Sequence, residues 1–528
     1  MQRDLLTRLE SWKSRIGAGE PRQLEQLLEL VSRQRFRKTA DLIRLHETLL
    51  FLRAYPVSGR VARLADASLN SFAKRIDEFS SDLTAFEEPE ISGIDGTSLT
   101  AVFSYEVALR LAARISRDLE IGWDRYDELD RLGPVLADLV PMLREEWPVE
   151  AHVPYRQWVA AARGASDREL AWLLDRFEQL PVPPGDRAER YDSLQLPLTW
   201  RVKGPVSRSR LRFPKRGLFV HREPLLRRSD ISLARELQGP PLPVRRLRPD
   251  EAREVLDIIL ETSAMRYREL YGFSHPDEGG VFHTDAGRGV DIYFFGVPPD
   301  WRLPLRAYHA GMFFKNGVPA GYVELLSLFE RAEAGFNLYY TFREGESAWL
   351  YATLLRLFRQ VLGVSCFSVD PYQIGHENPE ALDSGAFWFY RKLGFRPVDA
   401  QIAQLTEREE ARMRRKPGYR SSKRTLERLA AEPVIYEGPS AEIGAWDTFR
   451  IRNLAMTAVQ STAPPGLEAV IERIADYPQW PEPERLAVDR IIASKREGSE
   501  TEYLRLMQRH RRLRAAILAL GSGSAIQG

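Results

Sequence analysis

Two stretches decide the fold of this chain: residues 321–358, GYVELLSLFERAEAGFNLYYTFREGESAWLYATLLRLF, and residues 386–395, AFWFYRKLGF. The first stretch contains two strand-like segments, GYVELLSLF and GFNLYYTF, followed by a helical pattern. Before it, the pair Asn316-Gly317 is a strong signal for a two-residue hairpin turn. After it, VSCFSVD has the composition of a buried strand. This order predicts a mixed sheet with helices packed against it.

The turn between GFNLYYTF and the helix is a candidate anion site. The predicted strand ends at Phe342, and the helix begins near Ser347. The first N–H groups of a helix have no partner within the helix, and the helix dipole adds a partial positive charge there. Gly345 permits a tight bend, and Ser347 and Ala348 are small enough to admit a phosphate.

Two glutamates beside this turn leave its role open. Glu344 and Glu346 would repel a phosphate unless both carboxylates point away from it. Thr341 and Glu344 have the spacing of a capping box, and acidic residues are favoured in the first turn of a helix. The same residues therefore also fit a helix start that binds no ligand.

In their order and spacing, these segments resemble the GNAT superfamily of acyltransferases, and AFWFYRKLGF is similar to the last conserved helix of that family. The resemblance covers residues 241–400 and implies an α+β fold, a mixed sheet flanked by helices. It implies that the turn holds the pyrophosphate of acetyl-coenzyme A or a longer acyl-coenzyme A. The turn departs from the family's pattern, because Arg343 precedes Gly345 by two positions rather than three. The cofactor-binding residues that the resemblance implies are Phe342, Arg343, Gly345, Ser347, Ala348 and, for pantetheine, Asn378.

Three residues are candidates for the chemistry. The resemblance implies that Tyr390 protonates the departing thiolate, and a tyrosine of the core is the alternative. His376 follows VSCFSVD, where an imidazole would deprotonate an acceptor amine; a loop histidine without a role is the alternative. Glu324 in GYVELL is the rival base, and a chain of water molecules would replace either residue.

The sequence pattern outside residues 241–400 predicts the rest of the domain organisation. Apolar residues repeat at helical spacing in residues 1–180, which predicts an all-helical N-terminal domain. Residues 181–240 are predicted as a linker and a basic strand segment, with SRLRF and GLFVH as short strands. The GNAT-like domain occupies residues 241–400. Residues 401–528 are predicted as a basic helical extension.

The cysteine and histidine content and the length of the apolar runs indicate the compartment of the protein and whether it binds a metal. Cys366 is the one cysteine, so the sequence has no intramolecular disulfide, and a reducing compartment, the cytoplasm, is predicted. The eight histidines do not pair at metal-ligand spacing, so no metal is predicted. No run approaches the roughly 18 apolar residues of a membrane span.

The resemblance implies a transferase, and the charge of the chain bears on its partners. Lysines and arginines total 76 and acids 74, so the whole chain has no field that attracts nucleic acid. The reaction that the resemblance implies is acyl transfer from acyl-coenzyme A to a small-molecule or peptide amine, by direct attack in a ternary complex. Basic runs at 201–228 and 412–424 favour an alternative, a transferase that uses aminoacyl-tRNA. A non-catalytic protein of this fold that binds a protein partner is the third possibility.

Overall fold

The chain divides into two compact units, each assembled from three segments. The first unit consists of Met1–Pro224, Arg253–His275 and Lys315–Pro319. The second unit consists of Leu225–Ala252, Pro276–Phe314 and Ala320–Gly528. The computed structural model describes residues 2–79, 82–126, 129–149, 153–165, 168–213, 217–266, 269–455, 459, 463 and 466–522.

The strands form one small sheet in the first unit and one large sheet in the second. Their bounds are β1 Ser98–Val102, β2 Leu119–Ile121, β3 Pro197–Arg201, β4 Val244–Arg246, β5 Phe282–Gly287, β6 Val290–Phe295, β7 Ala307–Lys315, β8 Val318–Leu328, β9 Arg331–Leu338, β10 Cys366–Val369, β11 Arg396–Pro397 and β12 Val434–Glu437.

Helices make up most of the remaining regular structure. Their bounds are α1 Gln2–Glu10, α2 Pro21–Ser32, α3 Thr39–Ala54, α4 Gly59–Asn70, α5 Phe72–Asp77, α6 Tyr105–Ile115, α7 Leu129–Leu139, α8 Tyr155–Arg163, α9 Glu169–Glu178, α10 Pro184–Ser193, α11 Leu233–Glu236, α12 Pro249–Met265, α13 Tyr271–Ser274, α14 Ser347–Leu362, α15 Pro371–Ile374, α16 Pro379–Ser384, α17 Ala386–Lys392, α18 Ala400–Arg415, α19 Lys423–Leu429, α20 Leu467–Ile471, α21 Glu482–Glu497, α22 Glu500–Arg509 and α23 Arg511–Gly521. Among the described residues, none of these helices has both the length and the apolar character that a bilayer crossing requires.

The first unit contains an antiparallel sheet among its helices. β3 lies between β1 and β2 and pairs with both, and Trp200 of β3 stands opposite Leu99 and Leu119. The prediction of an all-helical domain over residues 1–180 is therefore wrong at β1 and β2. Both strands are short, and their partner β3 lies beyond residue 180, so local periodicity does not reveal the pairing.

The predicted linker and strand segment also differs from expectation. Helix α10 lies within it, and SRLRF and GLFVH form no strands. Backbone groups of these two segments bond to loops instead of to a neighbouring strand. The N–H of Phe213 donates to the carbonyl of Gly317 at 2.8 Å, and that of His221 donates to Pro56 at 2.8 Å. Residues 214–216 lie outside the described part of the chain.

The second unit is built on a mixed nine-stranded sheet, in the order β11-β12-β10-β9-β8-β7-β6-β5-β4. β9 and β10 run parallel, whereas β8 and β9, and also β10 and β12, are antiparallel. This confirms the predicted α+β class with a large mixed sheet and flanking helices. β12, however, comes from the region predicted as a helical extension, and it lies between β10 and β11. The predicted extension is mainly helical, but it also contains β12, which the sequence did not reveal because a four-residue strand gives too weak a local signal.

Local turn signals in the centre are confirmed. Asn316 and Gly317 have φ angles of 48° and 79°, the left-handed conformation that a tight hairpin between β7 and β8 requires. Gly363 has a φ of 71° and ends α14 in the left-handed cap that the sequence predicts. α14 begins at Ser347, and its packing is almost wholly internal, with Leu354, Leu355 and their apolar neighbours buried.

Candidate active site

The sheet opens where the parallel strands β9 and β10 end. Their pairing covers only Arg331 to Glu333 of β9, opposite Cys366 to Ser368 of β10. β9 then continues to Leu338 without β10 beside it. The carboxyl half of β9 therefore has a backbone edge facing a gap in the sheet, and binding sites are common where neighbouring strands separate at their carboxyl ends.

The turn after β9 leads directly into the start of α14. β9 ends four residues earlier than predicted, because Tyr340–Phe342 form a 3₁₀ turn. The N–H of Gly345 donates to the carbonyl of Phe342 at 2.9 Å, and the N–H of Leu350 donates to Glu346 at 3.0 Å. Within the described residues, the N–H groups of Ser347, Ala348 and Trp349 have no acceptor. Three donors and the positive end of the dipole thus lie at the start of the helix that follows β9 in the chain.

Glu346 is buried and ion-paired rather than directed at this helix end. Its carboxylate forms a salt bridge with Arg288, whose Nε lies 3.1 Å from Oε2, and it accepts the N–H of Leu226 at 3.1 Å. Its side chain is 2% exposed. Glu344 is exposed. Sequence reasoning missed Arg288, because it lies 58 positions before its partner and no local pattern joins the two.

Arg343 and Phe342 have different surroundings, although the sequence groups them. The guanidinium of Arg343 is partly exposed, forms an ion pair with Glu380 of α16, and lies 5.9 Å from the ring centroid of Tyr340. Its Nε donates to the carbonyl of Leu338 at 3.4 Å. The Phe342 side chain is buried in the core. Only Arg343 of the two has a side chain that an external anion can reach.

Asn378 is the N-cap of α16. Its Oδ1 accepts the N–H of Ala381 at 3.1 Å, and its Nδ2 donates to the carbonyl of Tyr372 at 3.1 Å. Both polar ends of the amide therefore have partners inside the protein. This geometry fits the helix cap that residue type and the following Pro379 favour.

Tyr390 lies in an aromatic cluster with Tyr351 of α14. Its side chain is buried, its ring meets Tyr351 edge-on at 5.4 Å, and it lies 5.7 Å from Phe395. Burial raises the pKa of the Tyr390 hydroxyl above its ordinary value. The buried hydroxyl of Tyr351 has no hydrogen-bond partner among the described residues. Sequence reasoning missed Tyr351. Its position one turn after the start of α14 would have suggested it as a residue of the site.

Glu324 lies on the other face of the sheet. It stands opposite Gly335 of β9, whereas the next residue, Phe336, points to the α14 face and contacts Tyr351 at 5.1 Å. The hydroxyl of Tyr308 donates a hydrogen bond to Glu324. Burial raises the pKa of the Glu324 carboxyl, and this hydrogen bond opposes the shift.

A cleft on the Glu324 side of the sheet contains His376. Its volume is about 450 Å³, and its lining includes Leu326, Arg331, Tyr372 and His376. Leu326 and Glu324 point to the same face of β8, because they are two residues apart on one strand. The structure therefore brings the proposed proton donor to one face of the sheet and the two candidate bases to the other.

Four cations of the first basic run, 201–228, form ion pairs with acids among the described residues. Arg201 pairs with Glu120, and Arg208 binds Glu47 at 3.0 Å in the interior. Two further ion pairs among the described residues of this run join Lys203 with Asp118 and Arg212 with Asp66. Folding therefore accounts for part of the positive charge of this run.

Two further features bear on the chemistry. Cys366 is buried in β10, and burial raises the pKa of its thiol to about 12, so it is a poor nucleophile near neutral pH. In the part of the chain that the structure describes, no group of three or more metal-ligating side chains is placed to hold an ion. Comparison of the chain with known proteins finds no matching family model, no matching curated protein and no matching solved structure.

Proposed function

We propose that the chain transfers an acyl group from acyl-coenzyme A to an amine, as the resemblance to the GNAT superfamily implies. The observation that carries this proposal is the loss of pairing between β9 and β10 beyond Glu333, on the strand that leads through one turn to the helix start whose first N–H groups have no acceptor within the described residues. A long donor with an anionic end and an extended arm fits such an arrangement. The donor is acetyl-coenzyme A or a longer acyl-coenzyme A.

The anionic end of the donor would lie at the start of α14. The N–H groups of Ser347, Ala348 and Trp349 supply hydrogen bonds to the pyrophosphate, and the helix dipole supplies a partial positive charge. Arg343 supplies a guanidinium at the same turn. Glu346 does not oppose the ligand strongly, because Arg288 compensates its charge. The extended arm would then follow the free edge of β9 toward the gap.

The reaction in this arrangement is a direct displacement. The amine nitrogen attacks the thioester carbonyl, a C–N bond forms, and the C–S bond breaks. The departing thiolate takes the proton of the Tyr390 hydroxyl, which burial keeps protonated near neutral pH. The proton of the amine passes to Glu324, or to His376 or water, on the cleft side of the sheet. The tyrosine regains its proton from solvent after the coenzyme leaves.

Calorimetric titration tests the donor site directly. We expect acetyl-coenzyme A, a longer acyl-coenzyme A and free coenzyme A to bind with micromolar affinity, because all three contain the pyrophosphate. Gly345→Glu places a further carboxylate beside the helix N–H groups and should abolish this binding. Gly185→Glu is the matched control, since Gly185 is exposed in α10 with open space around it.

Two outcomes would contradict the proposal. Retained binding in the Gly345→Glu variant would move the phosphate site away from α14. No heat with any of the three ligands at millimolar concentration would remove coenzyme A as the donor. Thermal unfolding of each variant separates lost binding from lost folding.

A further inference from the structure

A helical hairpin in the second unit carries concentrated positive charge. This basic hairpin comprises residues 408–428, the last turns of α18, the turn after it and most of α19. The whole of this range lies within the described part of the chain. Its exposed cations are Arg408, Arg412, Arg414, Arg415, Lys416, Arg420, Lys423, Arg424 and Arg428.

Very little of this charge is compensated within the protein. Within the described residues, Arg412 is the one cation of the basic hairpin in an ion pair, with Glu409 at 2.7 Å. The neighbouring acid Glu410 pairs instead with Arg391 of α17. In the first basic run, by comparison, four cations form ion pairs among the described residues, including Arg201 with Glu120 and Arg208 with Glu47. Folding therefore does not account for the charge of the basic hairpin.

A buried carboxylate fixes the shape of this surface. Glu409 accepts hydrogen bonds from Tyr419 at 3.0 Å and Ser421 at 2.6 Å, and from Arg412 at 2.7 Å. Burial opposes ionisation of Glu409, but these hydrogen bonds outweigh it and lower its pKa. The turn between α18 and α19 is thus held against α18, and the cations on both helices are presented in a defined arrangement.

The surface also lacks the features of a protein or membrane contact. No large apolar side chain is exposed anywhere in residues 408–428, whereas protein interfaces have buried aromatic or aliphatic anchors and membrane-bound helices have an apolar face. Single-stranded nucleic acids are bound by stacking successive bases on aromatic side chains, and Tyr419, which bonds to Glu409, is the one aromatic residue of residues 408–428. Arginine forks match phosphate oxygens, and a duplex backbone presents phosphates in regular rows.

We infer that the basic hairpin binds the phosphate backbone of a duplex nucleic acid, without reading its sequence. The contact is electrostatic, and it lies outside the proposed acyl-transfer site, so it does not depend on that function. Affinity should fall with salt, with a log–log slope of about −0.9 for each phosphate neutralised in a duplex. Binding should be equal for unrelated sequences of the same length.

Fluorescence anisotropy of the full chain tests this inference. The probes are labelled RNA and DNA duplexes of about two helical turns, which show whether both backbones are accepted. The variant R414Q/R415Q/R420Q removes three unpaired cations of the basic hairpin. We expect it to bind at least about tenfold more weakly at low salt and to lose about 2 to 3 from the salt slope. The control R485Q/R490Q/R509Q removes three exposed arginines of α21 and α22 and should bind like the unmodified chain.

Several outcomes would overturn the inference. One is failure of the unmodified chain to bind either duplex at low salt, and another is equal weakening by the two triple variants. Displacement of the duplex by polyglutamate at equal charge concentration, or stronger binding to anionic vesicles, would assign the surface to another partner. Should the first variant unfold on heating earlier than the control, the salt slope of the unmodified chain still decides, since a slope near zero excludes phosphate contacts.

Discussion

Tyr390 is the residue with the clearest predicted effect on turnover. A phenol is protonated near neutral pH at its ordinary pKa, so the Tyr390 hydroxyl has a proton to donate, while burial raises its pKa and makes that donation harder. Tyr390→Phe should lower kcat on the order of 100-fold, the scale of general acid catalysis, with little change in the donor Kd. Steady-state kinetics and calorimetry measure the two quantities. Tyr436→Phe is the control, since its ring also contacts Phe395, at 5.7 Å.

Unchanged turnover in Tyr390→Phe would remove this hydroxyl from the mechanism. Equal losses in the Tyr390 and Tyr436 variants would assign the effect to packing of the aromatic cluster instead. A tyrosine that donates a proton also predicts that poorer thiol leaving groups suffer more from its loss. Thioester donors of graded thiol pKa give that comparison.

Glu324 predicts a pH dependence with a defined sign. A base must lose its proton, so the rate should rise with pH through the Glu324 pKa, which burial raises above the ordinary value of 4.5. The hydrogen bond from Tyr308 lowers that pKa, so Tyr308→Phe should move the rising limb to higher pH. Glu324→Gln should remove the limb. A pH–rate profile that both variants leave unchanged would exclude Glu324 as the base and leave His376 or water.

At the scale of elements, variants of the Arg288–Glu346 ion pair show how charge at the start of α14 affects two quantities, the stability of the fold and the affinity for the donor. Arg288→Ala removes the cation that forms an ion pair with the buried Glu346 carboxylate, which should cost about 3 kcal/mol of unfolding free energy. The carboxylate charge should also weaken donor binding about tenfold through repulsion of the pyrophosphate. Adding Glu346→Gln removes the charge and should restore most of both quantities. Chemical denaturation and calorimetry on the single and double variants measure this.

Restored stability without restored donor affinity would mean that the pyrophosphate does not lie near Glu346. No effect of Arg288→Ala on stability would mean that solvent screens the carboxylate despite its burial. Chemical denaturation measures stability and calorimetry measures donor affinity, so the two outcomes are distinguishable.

Elements with strong local signals were predictable, and elements defined by distant partners were not. The hairpin at Asn316-Gly317 and the end of α14 at Gly363 follow from backbone conformations that few residue types favour. β12 and the β1–β3 sheet depend on strand pairing over long sequence separations, which a period of two residues in a short strand cannot specify. The charge compensation of Glu346 by Arg288 was hidden for the same reason. The roles assigned to Tyr390, His376 and Glu324 remain predictions.

At the scale of the molecule, the fragment 241–400 should not fold by itself. It lacks β12, which pairs with β10 along Cys366–Val369 and also with β11. Val434 and Ile435 of β12 are buried, and each such side chain contributes about 1.5–3 kcal/mol. The two side chains together contribute about 3–6 kcal/mol, a large part of the typical stability of a domain, about 5–15 kcal/mol. Loss of β12 would also expose the edge of β10, a site for aggregation.

The longer fragment 225–528 contains every segment of the second unit and should melt cooperatively. The first unit behaves differently, because residues 1–224 lack helix α12, whose Glu261 and Asp257 both bind Arg114. A fragment 1–224 should therefore be unstable, with early hydrogen exchange around α6. Circular dichroism melts of the three fragments test this assignment. A soluble 241–400 fragment with a cooperative transition would mean that β12 covers the sheet without being needed to complete it, and the unit would then end at β11.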